Sequence, residues 1–298
     1  MRTPPLLAPG ARVALVAPAG PVSKDGVFRT AVQQARSFGW EAVIGDNATA
    51  RTRYLAGSDE QRLLDLNAAL RDDTIDGIWC LRGGYGVMRI LDGLDTAAMS
   101  ARPRAVIGFS DITALHAALG RHSQVVGYHG PHAAAPLTSF SRDSLTRAIV
   151  DGTDSCGLAP AARTFRSGRA EGRLVGGNLS LLASLCGSRY APDYDGGILV
   201  LEDVDEASYR IDRMLRQLML NGALSKLAGI VYGQFTEEGG RASATSPSRE
   251  QVLREMADIA GVPTLAGVPV GHIDDQWTIP LGAMAVLDAD AKSLQVIR

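Results

Sequence analysis

Four stretches of this 298-residue chain carry side chains able to break bonds. The first is Gly108-Phe109-Ser110-Asp111-Ile112-Thr113, between the apolar run Ala105-Val106-Ile107 and an amphipathic segment. A serine at a strand-to-helix junction can be presented on a tight turn, and the amides of the helix start can hold an oxyanion beside it. The segment half matches G-x-S-x-G, since Ile112 replaces the second glycine. The competing role for Ser110 is to cap the helix that begins at Asp111. The second stretch is Gly83-Gly84-Tyr85-Gly86, where backbone without side chains can approach a ligand closely or simply turn. The third is the acidic pair Glu202-Asp203 at the end of Ile198-Leu199-Val200-Leu201; a carboxylate there either orients a histidine or caps the next helix. The fourth is His272 in Gly271-His272-Ile273-Asp274-Asp275, as an acid–base group near neutral pH or a solvated loop residue.

Other chemistries fit less well. In His129-Gly130-Pro131-His132 the proline disfavours a helical metal pair, and no HExxH completes a zinc site, so no metal is expected. Neither a GxGxxG around the glycine loop nor a GxxxxGK[ST] anywhere offers a phosphate cradle, which disfavours a nucleotide-dependent enzyme; no cofactor is expected. With 30 basic against 32 acidic residues and a net charge of −2, nothing answers a phosphate backbone, so nucleic acid is not an expected partner. The cysteines Cys80, Cys156 and Cys186 form no CxxC and read as free thiols in a reducing compartment. Pro4, Pro5, Pro9, Gly10 and Arg12 interrupt any secretory apolar stretch, and no run approaches a membrane span. A cytoplasmic protein without membrane contact is the expectation.

The elements that must position these residues alternate. Strands are predicted at Val13–Val16, Glu41–Ile44, Ile78–Leu81, Ala105–Ile107 and Val125-Val126, with helices at about 25–38, after Ser58, from Val87 and at 111–119 between them. Continuous apolar strands alternating with helices imply a doubly wound, mostly parallel sheet, with sites at the C-terminal strand ends. Residues 151–170 lack apolar periodicity and read as a linker. Beyond it, strands at 197–204 and 227–235 flank a helix at 208–220; the polar stretch 237–246 reads as a loop, and Ser246-Pro247 as the start of another helix. Short strands near 285–287 and 294–297 finish the chain. The fold class is α/β, an N-terminal domain (1–150) joined by the linker (151–170) to a smaller, mixed and β-rich α/β domain (171–298).

Taken together, GFSDITALHAAL, RGGYGVMRILDGLD, GRLVGGNLSLLASLCGS, ILVLEDVDEASYRIDRMLRQL and VPVGH…TIPLGAMAVLD resemble the LD-carboxypeptidase family of serine peptidases, which includes muramoyl-tetrapeptide carboxypeptidases and microcin C immunity peptidases. The likeness runs from about Arg12 to the C-terminus. It implies a catalytic Ser110, Glu202 and His272, with an oxyanion hole from the backbone N–H groups of Gly84 and Asp111. Nucleophile and oxyanion loop would lie in the first domain and Glu202 and His272 in the second, so the site would straddle the two. The resemblance further implies an L,D-linked murein tetrapeptide as substrate, terminal D-alanine as product, and a homodimer. Members often carry an asparagine just after the histidine, where this chain has Ile273-Asp274-Asp275-Gln276, which leaves substrate contacts there open. The alternatives are a microcin-type peptidase acting on an aminoacyl-nucleotide-like amide, and a non-catalytic two-domain binder of a small ligand.

Overall fold

The computed structural model describes residues 1–22, 25–236 and 247–297. The predicted loop at 237–246, including Ser246, lies outside the described residues.

In chain order the first half contains β1 (Arg12–Val16), α1 (Asp25–Ser37), β2 (Glu41–Ile44), α2 (Asp59–Arg71), β3 (Gly77–Cys80), α3 (Thr96–Ala101), β4 (Ala105–Ile107), α4 (Ile112–Ser123), β5 (Gly127–His129) and α5 (Ser139–Thr146). Strands β2-β1-β3-β4-β5 are parallel neighbours in that order, the order of doubly wound flavodoxin-like sheets. Alternate strand residues point to opposite faces. Ala14, Val16, Ile78, Cys80 and Val106 pack with Leu66 and Leu70 of α2 and Leu115 and Leu119 of α4. Val13, Leu15, Trp79 and Ile107 pack on the other face, with Ala31 and Ala35 of α1 and Leu145 of α5. Both faces are covered, which is why these strands read as unbroken apolar runs. Helix α2 begins as the sequence predicts: Ser58 caps it, and Gln61 returns the bond in a capping box.

The second half contains β6 (Gly157–Leu158), β7 (Arg163–Arg166), β8 (Arg169–Asn178), α6 (Leu179–Leu185), β9 (Gly197–Val204), α7 (Ser208–Leu220), β10 (Gly229–Thr236), α8 (Arg249–Ala260), β11 (Thr264–Ala266), β12 (Ile279–Leu281), β13 (Met284–Asp288) and β14 (Ser293–Ile297). A mixed eight-stranded sheet runs β6-β14-β13-β8-β9-β10-β11-β7, parallel from β8 to β11 and antiparallel outside. Helices α6, α7 and α8 cover the face carrying Leu199, Leu201, Ile230 and Tyr232. The opposite face, with Ile198, Val200 and Val231, packs on Val268, Val270, Trp277 and Ile279.

Several boundaries differ from the sequence reading. The stretch read as a linker contributes β6 and β7 to the second sheet. No single helix starts at Val87: two 3-10 turns span Val87–Arg89 and Leu91–Gly93, and Asp95 then caps α3 by accepting from Ala98 N. Val125 makes only an isolated bridge to Arg2, and the fifth strand lies two residues later. Helix α8 is capped by Ser248, not Ser246, because Ser248 and Gln251 complete a capping box.

Most consequential is β12. It belongs to the second half of the sequence, yet it pairs antiparallel with β5 and forms the edge of the first sheet. Buried serines secure this crossing. Ser144 Oγ of α5 donates to Ser155 O at 2.6 Å and accepts from Thr278 N at 2.8 Å, while Ser155 Oγ donates to Thr278 O at 2.7 Å. Ser144→Ala would leave the Thr278 amide and the Ser155 carbonyl buried without this partner. It is expected to lower the free energy of unfolding in urea by about 1–3 kcal/mol.

Candidate active site

Ser110 stands between β4 and α4 with φ +61°, a left-handed conformation that costs a non-glycine residue energy and is held only by its surroundings. It does not cap α4. The N-cap position belongs to Asp111, which makes no side-chain cap bond. The turn is fixed from behind: His132 Nε2 lies 3.3 Å from Phe109 N and 3.0 Å from Phe109 O, and its ring stacks on Phe109 at 4.4 Å. His129 and His132, set aside as metal ligands, are both buried among these packing contacts. Among the described residues no group of three ligating side chains could hold a metal ion.

The glycine loop after β3 comes directly against this turn. A Cβ on Gly83 would lie 2.8 Å from Ser110 Cβ and 3.1 Å from Ser110 Oγ, so only glycine permits the approach. Gly84 has φ +113° and abuts Gly20 in the loop after β1, whose amide donates to Gly83 O at 3.0 Å. The amides of Gly84 and Asp111 donate to nothing among the described residues.

Two residues that the sequence reading gave no such role tie loop and turn together. Asp111 Oδ2 accepts from Val87 N at 2.8 Å, joining the helix start after Ser110 to the end of the glycine loop. Arg62, on α2 and 2% exposed, donates from Nη1 to Pro18 O at 2.6 Å and Gly86 O at 2.9 Å, and pairs with Asp59. Arg62 carried a sequence signal only as a cation at a position otherwise facing the core.

The acid and the histidine come from the second half. Along β9, Ile198 and Val200 point to the face opposite the helices, and Glu202 continues that alternation. Asp203 points the other way and accepts from Ser180 N, Ser180 Oγ and Asn178 Nδ2, which sets the start of α6. One carboxylate of the pair serves a helix, as the plain reading allowed; the other does not. Glu202 is fully buried, and its Oε2 lies 2.8 Å from His272 Nδ1. Burial pushes its pKa up, and His272 works in the opposite direction. His272 reaches the acid because Gly271 precedes it: at φ +117°, a Cβ there would meet Glu202 Cβ and Oε2 at 2.9 Å. The imidazole also meets the Phe109 ring at 4.8 Å, which places it beside the Ser110 turn. No hydrogen bond joins Ser110 to His272 among the described residues; such bonds are often long without substrate and tighten in its complex. A cleft of about 450 Å³, lined by Phe109, His132, Leu137, His272, Asp274 and Gln276 among others, opens alongside.

A serine on a strained strand-to-helix turn, beside a histidine tied to a buried carboxylate, is the arrangement of a serine hydrolase. The chain belongs to the LD-carboxypeptidase family of serine peptidases: the model of that family's N-terminal domain matches residues 13–130, and that of its C-terminal domain residues 171–287. It is 38% identical over 294 residues to the murein tetrapeptide carboxypeptidase of Pseudomonas aeruginosa, covering 94% of each chain. It is 26% identical over 313 residues to the microcin C7 self-immunity protein MccF of Escherichia coli, covering 94% of this chain and 90% of that one. Among solved structures, the muramoyltetrapeptide carboxypeptidase from Oxalobacter formigenes matches with a TM-score of 0.85 at 29% identity, covering 96% of this chain and 98% of that one. The chain is thus a serine-type carboxypeptidase. Among the described residues no helix is long and apolar enough to cross a membrane.

The buried Asp111 carboxyl yields a test of this geometry. Desolvation raises its pKa from 3.8 to about 6, against the lowering effect of the Val87 amide. The folded state therefore binds this proton more tightly than the unfolded chain. The buried charge costs stability above about pH 6 and nothing below about pH 4. Asp111→Asn keeps an acceptor for the Val87 amide. It is expected to raise the unfolding free energy at pH 7 by about 1–3 kcal/mol, with the gain vanishing near pH 3.

Proposed function

We propose that this chain is a serine LD-carboxypeptidase that releases terminal D-alanine from an L,D-linked murein tetrapeptide, with Ser110 as nucleophile, His272 as general base and acid, and Glu202 as the carboxylate that orients it. The observation that carries the reading is the 2.8 Å contact of His272 Nδ1 with buried Glu202 Oε2, beside a serine held at φ +61°. In this mechanism Ser110 Oγ attacks the scissile carbonyl while His272 Nε2 takes its proton. Glu202 keeps the other imidazole proton on Nδ1 and stabilises the imidazolium. The Gly84 and Asp111 amides hold the oxyanion of the tetrahedral intermediate. His272 then gives its proton to the departing amine of D-alanine, and water repeats the cycle on the acyl-enzyme.

The tetrapeptide is favoured because the relative named for it is 38% identical over nearly the full chain, against 26% for the microcin self-immunity protein. That second relative supports an alternative substrate, an amide joining an acyl group to a nucleotide-like moiety. The reading places the protein in the cytoplasm, with three unpaired cysteines in support, and as a homodimer, with the family likeness in support.

D-Alanine release by the wild type beside Ser110→Ala tests it. The variant is expected to keep its circular dichroism and melting temperature while kcat falls by about 10⁴ or more. Glu202→Gln should fall by about 10³–10⁴. Full activity in Ser110→Ala would remove the nucleophile from this reading. No D-alanine release, with turnover of an aminoacyl-nucleotide analogue, would replace the substrate.

A further inference from the structure

Glu202 has two carboxylate oxygens, and the proposed relay uses only one. Oε2 faces His272, whereas Oε1 is buried without a hydrogen-bond partner among the described residues. Nε2 of His129, at the end of β5, lies 4.0 Å from Oε1; nearby, the Asn178 side chain works to lower the carboxyl's pKa and Asp203 to raise it. His129 is 1% exposed, and neither of its ring nitrogens has a partner. Buried polar atoms are nearly always paired, so two opposed orphans beside a relay call for an explanation.

The surroundings fix which pairing is possible. Burial holds His129 well below the ordinary histidine pKa, and His116 on α4, His132 after β5 and His272 disfavour its charge further. His116 and His132 are themselves pushed down to about 4 and about 3. His129 is therefore a neutral ring with one N–H, and an ionised carboxylate only accepts. The pairing that satisfies both atoms puts the His129 proton on Nε2 and aims it at Oε1. The separation exceeds a hydrogen bond by about 1 Å, a gap of the kind that closes when substrate orders a site.

We propose that His129 is a positioning residue of the relay, donating from Nε2 to Glu202 Oε1 in the substrate complex, so that the carboxylate stands anionic between two imidazoles. The inference rests on the triad reading above. Without this donor the buried carboxylate takes up a proton more readily, and His272 loses the anion that fixes its tautomer. The acid limb of kcat/KM then moves to higher pH.

Two variants of the full chain, assayed for D-alanine release, separate positioning from packing. In His129→Leu, kcat is expected to fall about ten- to hundredfold, with KM within about threefold and the acid limb displaced upward. His129→Gln, whose amide nitrogen stands where the imidazole carries Nε2, should recover most of kcat and return the limb. Wild-type kcat with an unmoved limb in His129→Leu would overturn the proposal, as would His129→Gln no better than His129→Leu. A wild-type measurement guards against variants that fail to fold. Ring ¹⁵N shifts between pH 5.5 and 8 should show His129 neutral with its proton on Nε2; a proton on Nδ1, leaving Nε2 bare, would overturn it. That readout needs no turnover. If the wild type released no D-alanine, the substrate reading would fail while the tautomer still decided His129.

Discussion

A carboxylate buried at the end of a strand has to be answered by a partner, because an isolated buried charge is too costly to hold. Glu202 is that carboxylate, and much of the molecule's unusual construction serves to bring His272 to it. The histidine lies on a loop that follows Val268 and Val270, packed on the same face of the second sheet as Ile198 and Val200. Gly271 is the only residue type that lets the chain turn there without striking the acid. The chain then leaves the second sheet, and β12 joins the edge of the first beside β5. Acid, histidine and serine turn are thereby held where a strand from the second half of the chain pairs into the first sheet, so displacement of one half against the other would break the β5–β12 pairing as well as the site.

The opposite side of the serine depends on a second tie. The parallel order β2-β1-β3-β4-β5 places the loops after β1, β3 and β4 side by side at the sheet's C-terminal edge. A glycine-rich loop cannot hold its own shape, since its advantage is lack of side chains. Its shape comes from neighbours: Gly20 N on Gly83 O, Arg62 on Gly86 O and Asp111 on Val87 N. The last of these matters most, because Asp111 offers its amide towards the proposed oxyanion and its carboxylate to the loop that supplies the other amide. Orientation of the two donors is set by one residue, at the cost of burying a carboxyl group.

The parts of this design legible in the sequence are those in which a local pattern and the final environment agree. The alternation of apolar strands with helices pointed to the parallel part of the first sheet, Ser58 to the start of α2, and the stretch 208–220 to the whole of α7. Strand alternation also separates Glu202 from Asp203, which as adjacent acids look equivalent in composition. Patterns failed where tertiary pairing overrides them. Ile279–Leu281 is short, has Pro280 at its centre and is followed by Gly282, so it does not read as a strand; it exists because β5 offers an open edge. Arg163–Arg166 has no apolar run and pairs only because β11 lies beside it. Ser141 and Ser144 look like ordinary helix residues; their hydroxyls serve segments more than 130 positions away.

That division bears on how one scaffold can be shared by relatives named for different substrates. Main-chain bonds hold the loop after His272: Ser141 Oγ donates to Asp274 O at 2.7 Å and accepts from Gln276 N at 2.8 Å, and Ile273 N donates to Gly271 O at 2.9 Å. None of these bonds uses the side chains of Asp274 or Asp275, which are exposed, and Asp274 lines the cleft beside His272. The path of the loop, and with it the His272–Glu202 contact, is thus independent of which side chains these two positions carry. Here the sequence presents two carboxylates at these positions. They bring negative charge to the rim of the cleft without touching the groups proposed for the chemistry. Substitution at these two positions therefore leaves in place what holds the proposed relay, the buried acid and the β5–β12 pairing.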